Sequence, residues 1–100
     1  MVRALATAGA YSCEKPVNRT EAVRQLLATG GRLIEVVFLK RDGSRRVLHG
    51  RLVGSDRLRG RSYCEDLTLP AAALRRGRLR LVDHRTLLSV TVDGTRYVVR

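Results

Sequence analysis

Two Asp-Gly pairs, Asp42-Gly43 and Asp93-Gly94, each stand between runs of apolar and β-branched residues. A tight hairpin turn needs positive φ, which glycine adopts freely and aspartate tolerates, so such pairs turn the flanking chain into antiparallel strands. Around the first, residues 32–40 (RLIEVVFLK) predict a strand with Ile34, Val36 and Phe38 on one face. Residues 45–54 (RRVLHGRLVG) return as its partner, with Leu48 and Leu52 on one face and Val47, His49, Arg51 and Val53 on the other. Around the second, Leu88, Val90 and Val92 lead into the turn, and Tyr97 and Val99 point inward beyond it. Residues 78–82 (RLRLV) alternate strictly, which predicts Leu79 and Leu81 inward and Arg78 and Arg80 outward.

The segments between are less strongly patterned. Residues 55–66 (SDRLRGRSYCED) read as a long basic loop. Leu67-Thr68-Leu69 reads as the start of a further strand reaching Ala71–Ala73. The competing reading is a short helix over 70–76, since Pro70 suits a first helical turn. Arg75-Arg76-Gly77 reads as a turn and Asp83-His84-Arg85 as a short connection. A helix is expected from Thr20 as N-cap, with Glu21 in its first turn, an apolar stripe of Ala22, Val23, Leu26 and Leu27, and Gly30 at its end. Residues 1–18, interrupted by Gly9, Pro16 and Asn18, are expected to form a flexible arm ahead of one domain over 19–100.

Charge narrows the function class. Twenty basic residues, all arginine except Lys15 and Lys40, face nine acidic ones, for a formal net charge of +11. Such a field attracts polyanions. A GC-rich genome explains arginine in place of lysine, but not the excess of basic over acidic side chains. Two groups of arginines stand out: Arg57, Arg59 and Arg61 in the basic loop, and Arg75, Arg76, Arg78 and Arg80 around the second basic turn, with Arg45, Arg46 and Arg51 extending either. Guanidinium matches phosphate and carboxylate oxygens two at a time. Tyr63, beside Arg61, is the candidate base-stacking residue; Phe38 and Tyr97 fall on core faces. The expected partner is therefore a nucleic-acid backbone or an acidic protein surface, and self-association into a homo-oligomer stays open.

Other chemistry finds little to stand on. His49 and His84 are the only histidines, and neither accompanies a nucleophile and an orienting group, so no catalytic set is expected. Cys13 and Cys64 are far apart and neither cysteine is paired with a histidine at ligand spacing, so no metal or cofactor is expected, and two free thiols are favoured over a disulfide. No apolar run reaches the length of a membrane span, and the apolar start MVRALATAGA is too short and broken for a secretory leader. A cytoplasmic location is expected.

A capped helix and a Gly-Gly break, followed by VVFLKRDGSRRVLHGRLVG and then LRRGRLRLVDHRTLLSVTVDGTRYVV, resemble the small phage-encoded SH3-like barrel proteins related to the WYL domain, over roughly residues 20–99. The resemblance implies a mainly β fold: a small SH3-like or Sm-like barrel of five to six strands preceded by one short α-helix. It further implies a phage origin, hence the host-cell cytoplasm. WYL-type barrels bind nucleic acid or nucleotide ligands, which favours a non-enzymatic nucleic-acid-binding module. The alternative is a phage-type inhibitor or adaptor docking on an acidic host protein. No site residue is carried over, because the chain has no Trp-Tyr-Leu triplet.

Overall fold

A computed structural model describes residues 8–69 and 75–100, with Arg75 and Arg76 as backbone only. The fold is mainly β with one long helix. In chain order the elements are β1 (Tyr11–Val17), α1 (Arg19–Leu27), β2 (Ile34–Leu39), β3 (Arg45–Asp56), β4 (Arg61–Asp66), the single turn α2 (Arg75–Arg78), β5 (Leu79–Asp83), a 3-10 turn (His84–Thr86), β6 (Leu87–Val92) and β7 (Gly94–Val99). The strands form one sheet in the order β1-β7-β6-β2-β3-β4-β5.

Both Asp-Gly hairpins form. Gly43 has φ 85°, and Asp93 and Gly94 have φ 50° and 79°, joining β2 to β3 and β6 to β7 antiparallel. The helix is capped two residues before the expected position. Asn18, extended at φ −78° and ψ 168°, accepts the Glu21 amide on Oδ1 at 2.8 Å and is the N-cap in place of Thr20. At the other end Arg32 donates to the carbonyl oxygens of Thr29 and Ala28 and pairs with Asp93, tying the helix C-terminus to the β6–β7 turn.

The core lies between α1 and the inner face of the sheet. Ala22 and Leu26 pack on Ile34, Val36, Phe38, Leu48, Cys64, Val82, Leu87, Val90 and Val92, with Leu52, Tyr97 and Val99 partly buried around them. Burial of Cys64 pushes its thiol pKa up to about 12.

Several expectations change. Residues 11–17 are not a loose arm: β1 pairs in parallel with β7, from Tyr11 opposite Gly94 to Val17 opposite Val99. Its side chains are almost all exposed, so it carries no buried stripe for a sequence reading to find. Residues 55–66 are not a long loop. β3 runs to Asp56, a four-residue turn follows, and β4 returns with Ser62, Cys64 and Asp66 on the core side. In β5 the strict alternation points the other way: Val82 is fully buried and Leu81 is 47% exposed. The pairing of Val82 with Ser62 and of Arg80 with Cys64 fixes this, because a strand inherits its facing from its neighbour's register. In β6 a register shift opposite Val37–Phe38 brings Leu87, not Leu88, beside Phe38 in the core. Residues 67–69 are a turn, not a strand, and residues 75–78 are the helical turn α2. The competing readings for 70–74 lie outside the described residues.

Candidate anion-binding groove

The sheet is strongly curled. In strand order two strands separate β5 from β2, yet the end of β2 and the end of β5 flank one groove of about 550 Å³. The turn after β2 brings Lys40 and Arg41. β3 adds Arg46, β4 adds Arg61, β5 adds Arg80, and the 3-10 turn adds Arg85. The floor and walls also include Phe38, Leu39 and Leu81. Leu39 and Leu81 are 37% and 47% exposed, so the groove has apolar wall as well as charge.

One carboxylate, Asp83, lines the groove. It caps the 3-10 turn by accepting the Arg85 amide at 2.9 Å, and its other oxygen lies 3.0 Å from Nη2 of Arg85. The hydrogen bond from the Arg85 side chain, then that from its amide, hold its pKa below the usual carboxylate value. Arg61 sits opposite it across the β4–β5 ladder and adds to the effect. Asp83 is thus ionised at neutral pH, and the groove remains positive because six cationic side chains line it against this one carboxylate.

Which arginines are free is decided elsewhere. Among the described residues, every acidic side chain except Asp42 sits in an ion pair. Buried Glu65 takes Arg51 at 3.2 Å and Arg78 at 3.8 Å. Buried Asp66 takes Arg46 at 3.5 Å, and Asp56 takes Arg59 at 3.3 Å. Arg46 lines the groove, and its buried Nε has no hydrogen-bond partner among the described residues. Lys40, Arg41 and Arg61 make no ion pair among the described residues.

The expected site residues thus divide. Arg46, Arg61 and Arg80 come together in the groove. Arg80 is not on a wet outer face. It is half-buried and donates to the carbonyl oxygens of Gly77 and Leu79 at 2.7 and 3.0 Å. Arg51, Arg59 and Arg78 are engaged by carboxylates. Arg78 is only 20% exposed, so it too differs from the expected outward residue. Arg57 lines a separate hollow beside α1, and Arg45 is exposed at the start of β3. Tyr63 does not line the groove but pairs across the ladder with Leu81, which does. The side chains of Arg75 and Arg76 are outside the described residues. Lys40, Arg41 and Arg85 escaped the sequence reading, although Lys40 and Arg41 directly precede the first Asp-Gly turn, which places them at a strand end.

A second charged centre lies on the outer face. Four neighbouring strands place His49, Glu35, Thr91 and Arg96 side by side. Glu35 is buried; its oxygens lie 2.9 Å from His49 Nε2 and 2.8 Å from Arg96 Nη2. Arg96 also donates to Thr91 Oγ1, and its guanidinium stacks 4.0 Å from the Tyr11 ring of β1. Gly9 lies so close to the Glu35 carboxylate that a Cβ there would collide with it. This centre is a closed ion-pair network covered by the chain before β1.

Among the described residues one hydroxyl–imidazole contact occurs, and it is structural. Ser62 Oγ is 2.7 Å from His84 Nε2, but Ser62 is fully buried, out of a substrate's reach. Burial pushes the His84 pKa below its ordinary value. Cys13 is exposed on β1 and Cys64 lies in the core, both as free thiols. No group of three metal-ligating side chains gathers among the described residues. Among them, too, no helix is long and apolar enough to cross a membrane. No protein-family model, curated protein or solved structure matches the chain.

Proposed function

We propose that this protein is a non-enzymatic nucleic-acid-binding module that grips phosphates in the groove between the β2–β3 hairpin and β5. One observation carries the reading: Lys40, Arg41, Arg46, Arg61, Arg80 and Arg85 converge on one concavity whose single carboxylate is already occupied by Arg85. Arginine suits the task because its planar fork meets two phosphate oxygens at once. Phosphate contacts hold a strand in place without reading its sequence. A phage origin and a place in the host cytoplasm accord with this reading through the sequence resemblance alone.

The test is binding of a labelled oligonucleotide by fluorescence anisotropy across a salt series, with labelled poly-glutamate alongside. Phosphate contacts release condensed counterions, so log affinity falls linearly with log salt by ~0.7 per contact on a single strand. Replacing Lys40, Arg41 and Arg61 together by Ser should flatten that slope by roughly 2. Wild-type protein that ignores nucleic acid at low salt but holds poly-glutamate would replace this reading with the acidic-protein alternative.

A further inference from the structure

We infer that the groove takes a single strand with an unpaired base laid against its apolar wall, in preference to a duplex. The inference deepens the proposed function and rests on it.

Charge alone does not explain the groove's composition. A surface that only tracks a phosphate backbone has no use for exposed leucine, yet Leu39 and Leu81 stand 37% and 47% exposed among the cations. Both occupy outer-face positions of their strands, Leu39 at the end of β2 and Leu81 in the middle of β5. Tyr63, 36% exposed, lies across the ladder from Leu81 and continues that apolar surface onto β4. Arg61 follows Tyr63's face two residues along β4 and borders the same groove. Cation and apolar wall therefore border one and the same groove.

That arrangement suits a strand whose bases are free. In a duplex the base faces are stacked on one another and only edges and phosphates reach a protein, so Leu39 and Leu81 would stay in water. A single strand offers a phosphate to Arg61, Arg80 or Arg85 and a bare base face to the leucine wall and Tyr63. An aromatic platform binds bases with little sequence preference, since every base has a flat face, and Tyr63 supplies one beside the apolar leucine wall. Arg46, anchored to buried Asp66 at 3.5 Å, lines the same groove and adds its positive charge there.

The experiment measures affinity of the full chain for oligo-dT and for the oligo-dT·oligo-dA duplex at one ionic strength, with Leu81→Ser and Leu39→Ser as variants. Both leucines are exposed enough that urea midpoints should match wild type, and Leu39→Ser serves if Leu81→Ser does not fold. The expected result is tighter binding to the single strand. Each leucine variant should weaken that binding by about fivefold or more, the scale of one lost base contact, while the duplex, which offers no free base face, loses no affinity. Equal affinity for both probes, or single-strand affinity untouched by the leucine variants, overturns the inference and leaves backbone binding in place. Failure of wild type to bind either probe removes the proposed function itself.

Discussion

Arg96 and Arg61 are the same residue type on strands of one sheet, yet their surroundings differ completely. Arg96 is held by Glu35, Thr91 and the Tyr11 ring, in a network that the chain at Gly9 closes over. Arg61 faces a groove where the nearest carboxylate already has Arg85. In the first region charge is neutralised inside the protein and contributes to the fold. In the second it is left uncompensated and directed at solvent. The comparison teaches that net charge says how many arginines exceed the carboxylates, whereas buried carboxylates decide which ones are left over.

The comparison is open to attack at several points. The largest effect is expected from Glu35→Ala, which strands His49 and Arg96 without their partner. Removing one member of a buried pair costs ~3–5 kcal/mol, and about 3 kcal/mol is expected here because His49 and Arg96 keep 32% and 26% of their side-chain surface in water. Urea denaturation checks this; a loss under about 0.5 kcal/mol, the scale of an ordinary surface substitution, would mean the network is no more structural than the groove.

Gly50→Ala sharpens the contrast from the backbone side. A Cβ at Gly50 would run into the Glu65 carbonyl on β4, a backbone atom that cannot swing aside. The variant should lose about 1–3 kcal/mol through overpacking, seen as a lower urea midpoint with unchanged groove charge.

Arg78→Ser and Arg61→Ser then compare two arginines that alternation alone does not separate. Arg78 faces Glu65, which is 3% exposed. Its loss should cost about 1–3 kcal/mol, because it takes one of two cationic partners from a buried carboxylate. Arg61→Ser should change stability by less than about 0.5 kcal/mol and affinity for an oligonucleotide measurably. Equal stability losses would erase the distinction between engaged and free arginines.

The smallest effect is a pH dependence. The His84 pKa is depressed in the fold by burial, so below the unfolded-state value of 6.5 the unfolded chain takes up its proton first. His84 therefore contributes stability that is present above pH 6.5 and is lost as pH falls from there through the folded value. A shallower loss of urea stability between pH 7.5 and pH 5 is expected for His84→Asn than for wild type. Identical pH profiles would mean that His84 is freely hydrated.

The local code wrote much of this fold in advance. Asp42-Gly43 and Asp93-Gly94 dictate two hairpins because positive φ is a property of those residues wherever they stand. Ile34, Val36 and Phe38 were legible as a core face because one side of β2 is buried in the core and a period of two records that. The basic balance was legible too, since it is a sum over the chain.

Facing and partnership belonged to the tertiary structure. RLRLV alternates perfectly, but alternation has two phases, and only pairing with Ser62 and Cys64 of β4 chose the one that buries Val82 and exposes Leu81. β1 has no buried stripe of its own, so its strand exists because β7 offered an unpaired edge. The same holds for charge. Eighteen arginines are visible as letters. Glu35, Glu65 and Asp66, once buried, had to find partners within reach, because an unpaired buried carboxylate is costly. Their choice of Arg96, Arg51, Arg78 and Arg46 was settled by strand register; it withdrew Arg96, Arg51 and Arg78 from the groove and anchored Arg46 at its edge. Composition is additive and can be read from the chain; pairing depends on distances that exist only after the sheet has curled.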